Sequence, residues 1–201
     1  RDQRLRDTAW WAPAAVVQSF GRWQGVDVSA EEQRQGKRRL AGLVEQFGLP
    51  PAAAPAWRAV DTWLPLPTPT ATPLDELLAA RSTCRNFTGA PLPLADLARV
   101  LHRVFAAQAA EEHVPGARML KKNSPSGGGL HPVEAFVLAR CVDGLASGAY
   151  HYASEAHALA PLRLLDAAQA DALAYELVAG QEWFARAPVL VLMAARFQRT
   201  F

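Results

Sequence analysis

Hydrophobic residues in the second half of the chain recur at steps of three and four, which is the pattern of an amphipathic helix. The clearest case is Leu94–Ala107 (LADLARVLHRVFAA), whose apolar side chains share one face. Helices are also predicted over Ala30–Phe47, Leu74–Ala80 and Ala167–Ala179. For the earliest helix, Ser29 is a suitable N-cap and Gly48 a suitable C-cap, so both of its ends carry a capping residue.

Short apolar runs predict three strands in the same part of the chain. The runs are Ala135–Val142, Gly148–Tyr152 and Pro188–Phe197. A turn at Asp143–Gly144 would join the first two as a hairpin. Tyr150 and Tyr152 lie on one face of the second strand, and packing in a core is favoured for them over lining a cleft. Because helices and strands are interleaved, the predicted fold class is α+β.

Changes in composition and hydrophobic pattern divide the chain into three predicted parts. Residues 1–63 hold five of the six tryptophans and form an N-terminal extension that we expect to be mainly helical. Residues 64–73 (LPLPTPTATP) are rich in proline, which favours an extended and semi-rigid linker. Residues 74–201 carry the interleaved helices and strands and form the predicted main domain.

Composition narrows the classes of protein that need to be considered. The chain has 201 residues, is 50% hydrophobic and has a net charge of only +2, so nothing suggests a general attraction to nucleic acid. No apolar run approaches the roughly 20 residues that span a bilayer, and no signal peptide is recognisable. The two cysteines, Cys84 and Cys141, form no disulfide or metal-binding pattern, and we expect both to be buried thiols. We therefore expect a cytoplasmic protein with no membrane segment and no metal site.

Two arginines separated by hydroxyl residues form the first motif with chemical meaning. The motif, Arg81–Phe87 (RSTCRNF), directly follows the predicted helix Leu74–Ala80. A guanidinium group binds phosphate through two parallel hydrogen bonds, and serine and threonine hydroxyls add further donors. The segment suits a ligand that bears a phosphate. A helix end with two solvated arginines is the alternative that these residues leave open.

Three consecutive glycines mark the second motif, Pro125–Glu134 (PSGGGLHPVE). Such a run is unfavourable inside a helix or strand, but it allows backbone N–H groups to approach a flat or anionic ligand closely. His131 and Pro132 then set a rigid turn into the next strand. The glycine patterns of dinucleotide-binding folds and P-loops are both missing from the sequence. A flexible surface loop is the alternative interpretation.

The order of these motifs resembles that of the nitroreductase superfamily. The segment RSTCRNF is followed by PSGGGLHPVE and then by Val142–Tyr152 (VDGLASGAYHY). More narrowly, the order resembles the SagB-type dehydrogenases, which use FMN to oxidise azoline rings in ribosomal precursor peptides to azoles. The resemblance covers about Leu74–Phe201. It implies a nitroreductase-like fold that lacks its C-terminal part, together with an FMN cofactor.

The resemblance assigns the arginine motif to the phosphate end of FMN. Arg81, Thr83 and Arg85 match the family pattern Arg-x-Ser-x-Arg, which holds the phosphate and the ribityl chain. Ser82 stands where a second arginine is usual, and Thr83 replaces serine but keeps the hydroxyl. All four residues are therefore predicted to bind the cofactor.

The resemblance assigns the glycine motif to the ring end of FMN. The residues that match the loop lying against the isoalloxazine ring are Pro125, Ser126, Gly127 and Gly128. His131 takes the place of a glutamine or histidine that turns the chain beneath the flavin. Glu134 belongs to the same motif, and we expect it to fix the loop by accepting hydrogen bonds from backbone N–H groups.

The resemblance leaves the catalytic residues of this sequence unassigned. In the SagB-type family, an arginine-rich turn and a Lys-Tyr pair follow the strand that matches Pro188–Phe197, and the pair is implicated in azoline deprotonation. We expect the corresponding pair, and about the last third of the family domain, to lie beyond Phe201. The resemblance also implies a homodimer with FMN at the subunit interface, a precursor peptide as substrate and a cyclodehydratase as a further partner.

Two other functions remain open from the sequence. Residues 1–63 would suit a winged-helix-like clamp for a leader peptide, which would make the chain a non-catalytic scaffold in a peptide maturation complex. A general NAD(P)H-dependent nitro or quinone reductase of the same fold is the second alternative. The histidine at position 131 and the long N-terminal extension favour the peptide-modifying branch.

Overall fold

A computed structural model describes residues 42–49, 64–196 and 199. The described residues up to Arg85 belong to one compact unit, and those from Asn86 onward belong to another. The peptide clamp predicted within residues 1–63 and most of the predicted helix Ala30–Phe47 lie outside the described residues.

The first unit contains the end of the earliest predicted helix. Residues 42–47 are helical, and the N–H of Gly48 donates to the carbonyl oxygen of Val44 at 2.8 Å. Gly48 has φ 81°, a left-handed conformation that glycine adopts without steric cost. Its role as C-cap is therefore confirmed. Residues 64–72 have no regular structure and are exposed, as expected for a proline-rich linker.

Helix α1 (Pro73–Ala80) begins at a capping box and confirms the helix predicted from Leu74. The backbone N–H of Asp75 donates to the Thr72 hydroxyl at 3.4 Å, and the Thr72 N–H donates to the Asp75 carboxylate at 2.7 Å. Proline at the first helical position adds a preset φ angle. The N-cap Thr72, the proline at position 73 and Asp75 therefore all mark the start of this helix. None of the residues of the helix is buried.

The second unit combines helices with six strands. Its helices are α2 (Leu94–Phe105), α3 (Ala167–Leu177) and the short α4 (Glu182–Ala185). Its strands are β1 (Ala107–Val114), β2 (Ala117–Lys122), β3 (Val133–Ala139), β4 (Gly148–Ala153), β5 (Ala158–Leu164) and β6 (Val189–Ala195). Within the ranges that the structure describes, every helix is too short or too polar to cross a membrane.

The main sheet has four antiparallel strands in the order β5-β4-β3-β6. The predicted hairpin of β3 and β4 is confirmed, with Val137 opposite Tyr150, and its turn contains Gly144 at φ 72°. The third predicted strand is β6, which pairs with β3 over its whole length. Strands β1 and β2 form a separate two-stranded sheet.

The core lies between α2 and the two inner strands of the main sheet. Leu101 of α2 is 2% exposed and packs in one cluster with Val137 of β3 and both tyrosines of β4. Leu138 points to the opposite face, where it packs with Ala170 and Ala174 of α3. Since consecutive residues of β3 face different clusters, this strand is buried on both faces. The predicted packing role of the two tyrosines is confirmed.

The strands that lack a clear apolar pattern were not predicted from the sequence. Strand β1 (AQAAEEHV) carries two adjacent glutamates, and β5 (ALAPLRL) contains Pro161. A proline is accommodated in β5 because that strand lies at the edge of the sheet. Both strands are therefore set by tertiary pairing and not by their own sequence pattern.

The expectation that both cysteines are buried is wrong. Cys84 lies in the irregular segment after α1, and Cys141 lies just beyond the end of β3; both residues are exposed, and neither forms a disulfide. The strand predicted to reach Val142 ends at Ala139. Cys141 therefore falls in the turn and not in the core.

Replacing Leu101 with alanine should lower the free energy of unfolding by about 2–5 kcal/mol, because it leaves a cavity between α2 and the sheet. The neighbouring Val100 is 53% exposed, so Val100→Ala is the matched control and should cost about 0.5 kcal/mol or less. Urea denaturation followed by circular dichroism measures both changes. Equal effects of the two substitutions would contradict the described packing of α2.

Candidate functional site

The glycine motif between β2 and β3 folds into one tight turn. Gly127–Gly129 forms a single 3-10 turn, in which the N–H of Gly129 donates to Ser126 O at 3.0 Å and that of Leu130 donates to Gly127 O at 3.3 Å. Gly128 has φ 61° and Gly129 has φ 65°. These left-handed angles strain residues with a side chain, which explains the need for consecutive glycines.

Ser126 and His131, both predicted as site residues, meet across the base of this turn. The backbone N–H of His131 donates to the Ser126 hydroxyl at 2.9 Å. His131 itself has φ 43°, an uncommon angle for a residue other than glycine. The segment thus has a defined local conformation, and the alternative of a merely flexible loop is not supported.

The N-terminal limb of the turn, Asn123 and Ser124, is hydrogen-bonded to helix α2. The Asn123 side-chain amide donates to Arg103 O at 3.0 Å, and the Ser124 hydroxyl donates to Val104 O at 3.3 Å. Both acceptors lie in the last turn of α2, where carbonyl groups have no partner within the helix. These contacts place the motif at the end of α2, on the side of the sheet where the main core lies.

A cleft of about 360 Å³ opens beside the glycine turn. Its walls include Glu111, Met119 and Lys121 from the hairpin, and Ser126, Gly128 and His131 from the turn. The volume falls within the range of about 300–1,000 Å³ that is usual for small-molecule sites. The sequence analysis did not predict the hairpin wall, because neither β1 nor β2 was recognised as a strand.

The glycines present bare backbone to this region. A Cβ atom added at Gly129 would lie 3.3 Å from the Cε of Met119, whereas one added at Gly127 would meet nothing within 4 Å. A side chain at Gly129 would narrow the cleft, because Gly129 and Met119 both line it. A flat ligand that stacks on backbone fits this wall, so the turn is compatible with the ring system of a flavin.

The cleft has a cationic side that does not depend on histidine protonation. Burial lowers the pKa of the His131 imidazole, and the nearby Lys122 lowers it further. Burial is also the main reason why the pKa of Lys122 is lowered, with Arg199 adding to the effect and Glu134 opposing it. Because the pKa of His131 is lowered from a value that is already below neutral pH, the imidazole is neutral at pH 7, and the positive charge of this region does not come from histidine.

Glu134, the last residue of the motif, is held by two side chains. One carboxylate oxygen lies 3.1 Å from Nε2 of His151, and the other accepts a hydrogen bond of 3.1 Å from Arg196. Burial raises the pKa of this carboxyl, but the hydrogen bonds from His151 and Arg196 outweigh burial and hold the pKa below its ordinary value. The expectation that Glu134 accepts from backbone N–H groups is thus replaced by pairing with side chains.

Two arginines near the end of β6 also contact the motif, and the sequence analysis assigned neither of them. Arg199 donates through Nε to Leu130 O and through Nη2 to Arg118 O at 3.0 Å. The backbone N–H of Arg196 donates to Pro132 O at 2.8 Å. Arginines that follow an apolar strand were the available sequence signal for a functional segment. Their hydrogen-bond partners could not be predicted, because those partners are distant in sequence.

The arginine motif lies in the other compact unit. Arg81 is the C-cap of α1, and the segment that follows has no regular structure. All four predicted phosphate-binding residues are exposed: Arg81, Ser82, Thr83 and Arg85. Phosphate binding by these four residues, and their union with the glycine turn in one site, remain predictions.

Chelation of a metal has no support in the part of the chain that the structure describes. Within those ranges, no group of three or more histidine, cysteine, aspartate or glutamate side chains is arranged to hold an ion. The chemistry that the cleft offers is therefore close backbone approach, hydroxyl groups and positive charge.

The chain belongs to the Nitroreductase family. The family model matches residues 78–201, which include both motifs and all the described secondary structure from α2 to β6. The nitroreductase-like fold predicted from the sequence is thereby confirmed, with mixed helices and strands as expected.

Two known proteins illustrate the similarity. A protein of Methanocaldococcus jannaschii that is named as a nitroreductase is 31% identical over 127 residues, which cover 63% of this chain and 59% of that protein. The chain thus spans about three fifths of the length of this relative. The structure of the E. coli microcin synthetase McbBCD complex, with truncated pro-MccB17 bound, matches with a TM-score of 0.56 and 19% identity. That match covers 99% of this chain and 73% of the other, and at this identity it shows the fold alone.

The Glu134 contacts predict a specific loss of stability in acid. Because the pKa of Glu134 in the folded state lies below its ordinary value, the ionised carboxylate stabilises the fold above that value, and the stabilisation is lost as the pH falls through the folded-state pKa. From about pH 6 to about pH 3, the wild-type protein should therefore lose more free energy of unfolding than Glu134→Gln.

Urea denaturation at a series of pH values tests this prediction. Glu176→Gln, at an exposed position of α3, is the control and should keep the wild-type slope of stability against pH. If Glu134→Gln and the wild type lose stability in parallel, the carboxylate is not held as described.

Proposed function

We propose that this chain forms part of an FMN-dependent dehydrogenase that oxidises azoline rings in a ribosomal precursor peptide. The observation that carries the proposal is the rigid glycine turn, whose bare backbone faces a cleft of small-molecule size. Membership in the Nitroreductase family supports an oxidoreductase built on this turn. The activity, the cofactor and the substrate are parts of this one proposal.

The chain offers residues for both ends of FMN. Four residues of the turn would lie against the isoalloxazine ring, with His131 turning the chain beneath it: Pro125, Ser126, Gly127 and Gly128. The phosphate and ribityl chain would be bound by Arg81, Ser82, Thr83 and Arg85, since guanidinium and hydroxyl groups suit a phosphate ester. When bound, FMN supplies a centre that accepts a hydride. The protein's contribution is to hold and orient this ring.

The positive charge near the cleft supports an anionic cofactor. Lys122 and Arg199 lie close enough to lower the pKa of His131, and Lys121 and Lys122 line the cleft. Such a site stabilises negative charge without any change in histidine protonation. No residue of this sequence is assigned as the catalytic base, and the catalytic residues remain unknown.

A modified peptide is the substrate class that we favour. His131 occupies the position at which the peptide-modifying branch differs from simple reductases. The E. coli complex of similar fold carries a bound precursor peptide, which makes this assignment compatible with the fold. The proposal includes a homodimer with FMN at the subunit interface, a cyclodehydratase partner and a cytoplasmic location.

A reductase of nitro or quinone compounds is the second candidate. It is favoured by the name of the M. jannaschii relative, with which this chain shares 31% identity. The two candidates differ in the direction of electron flow: a reductase takes electrons from NAD(P)H, whereas a dehydrogenase takes them from the peptide ring and passes them to an acceptor such as dioxygen.

The full chain should bind FMN, and Arg81→Ala and Arg85→Ala should each weaken the affinity about tenfold or more, since each removes a charged phosphate contact. Quenching of flavin fluorescence during titration measures the affinity. Arg186→Ala removes an exposed arginine that pairs with Glu182 and should leave the affinity unchanged. A wild-type protein that binds no FMN would overturn the proposed function.

The FMN-loaded full-length protein, with the catalytic pair that is expected beyond Phe201, should convert a thiazoline-containing peptide to the thiazole, with the loss of one hydride and one proton per ring. Mass spectrometry under air, with dioxygen as the electron acceptor, detects the product. In parallel, oxidation of NADPH with a quinone tests the reductase. Rapid NADPH oxidation without azole formation would support the second candidate, and absence of both activities in an FMN-binding protein would support a scaffold.

A further inference from the structure

Three charged residues contact the C-terminal limb of the glycine turn, residues 130–132, either directly or through one another. We name Glu134, Arg196 and Arg199 the arginine clasp. Arg196 follows β6 directly, and Arg199 lies three residues further on. Glu134 is the second residue of β3. The clasp therefore joins the glycine motif to a segment that is remote in sequence.

Arg199 bridges two segments through one guanidinium group. Its Nε donates to Leu130 O, in the turn, and its Nη2 donates to Arg118 O in β2 at 3.0 Å. The planar, delocalised guanidinium can serve both carbonyl groups at once, which a lysine ammonium on a flexible stem does less well. This one side chain thus ties the turn to the hairpin that forms the opposite wall of the cleft.

Arg196 and Glu134 fix the point where the turn becomes a strand. The Arg196 N–H binds Pro132 O at 2.8 Å, and its side chain binds Glu134 at 3.1 Å. The second oxygen of Glu134 reaches His151 of β4, also at 3.1 Å. The Glu134 and His151 side chains are 26% and 33% exposed, so their contact is less screened by solvent than a surface ion pair, whereas the Arg196 side chain is 61% exposed.

The turn needs restraint from outside because its own residues supply little. Glycine loses more backbone freedom on folding than any other residue, and the internal bonds of Gly127–Gly129 are confined to a single 3-10 turn. One limb is held by the contacts of Asn123 and Ser124 with α2. The other limb is held by the clasp, so the clasp decides whether the turn keeps one conformation.

We propose that Glu134, Arg196 and Arg199 are positioning residues for the glycine turn. They act through the backbone of Leu130 and Pro132 and keep the turn in the conformation that receives the ligand. The inference rests on the proposed function, because the ligand is taken to be FMN. It adds a dependence of the cofactor site on the segment after β6.

Hydrogen–deuterium exchange of the flavin-free full chain tests the clasp without any ligand. The variants are Glu134→Gln and Arg199→Gln, and the amides to follow are those of Gly129, Leu130 and His131. Each variant should exchange these amides about tenfold faster than the wild type, because a charge-assisted restraint on the limb is lost. The remaining amides of β3 and β4 should change little.

Arg140→Gln is the matched control. Arg140 also joins a carboxylate and a carbonyl, since it pairs with Asp171 and donates to Ala187 O at 2.7 Å, but it follows the opposite end of β3. Its loss should affect amides near Ala187 and leave those of the turn at the wild-type rate. Arg199→Lys keeps the positive charge but replaces the planar guanidinium with a single ammonium group. Compared with Arg199→Gln, it should restore protection of the turn amides only in part.

FMN titration of the same variants separates the inference from the proposed function. If the inference holds, Glu134→Gln and Arg199→Gln weaken FMN binding about tenfold and Arg140→Gln does not. Unchanged exchange at the turn, or faster exchange with unchanged FMN affinity, would overturn the positioning role. A wild-type protein that binds no FMN would overturn the proposed function, while the exchange data would still decide whether the clasp holds the turn.

Discussion

The pairing of β3 with both β4 and β6 is the constraint on which the rest of this unit depends. Val137 and Leu138, adjacent in β3, pack into clusters on opposite faces of the sheet. A shift of β3 by one residue would exchange these faces, so burial specifies its register strongly. Because the glycine turn leads directly into β3, the same register fixes where the turn stands. The hydrophobic core thus positions the candidate site through the register of β3.

Elements that bury an apolar stripe by themselves were predictable from the sequence. Helix α2 shows its stripe directly, and the hairpin of β3 and β4 combines apolar runs with a glycine turn. Strands β1 and β5 were not predictable, since β1 is polar and β5 is a mostly exposed strand that contains a proline. The exposure of Cys141 was missed for a related reason: strand β3 ends before it, although the apolar run continues to Val142.

The candidate site divides in the same way between local and distant interactions. The close approach of Ser126 and His131 was predictable because both lie in one motif with a strong turn signal. The contact of Arg199 with Arg118 joins residues 81 positions apart, and no local pattern announces it. Sequence reasoning thus identified the turn whose backbone is proposed to meet the ligand. It did not identify which side chains hold that backbone still, because those side chains come from other strands.

Met119 gives the cleft an adjustable width. If the arginine clasp holds the turn as proposed, the wall that can adapt to a ligand is the opposite one, which includes Met119. The terminal methyl of Met119 lies 3.3 Å from where a Cβ of Gly129 would stand. An unbranched thioether changes rotamer at little cost and adapts to irregular shapes. A substitution at Met119 would therefore alter the width of the cleft from the β2 side and leave the glycine motif intact.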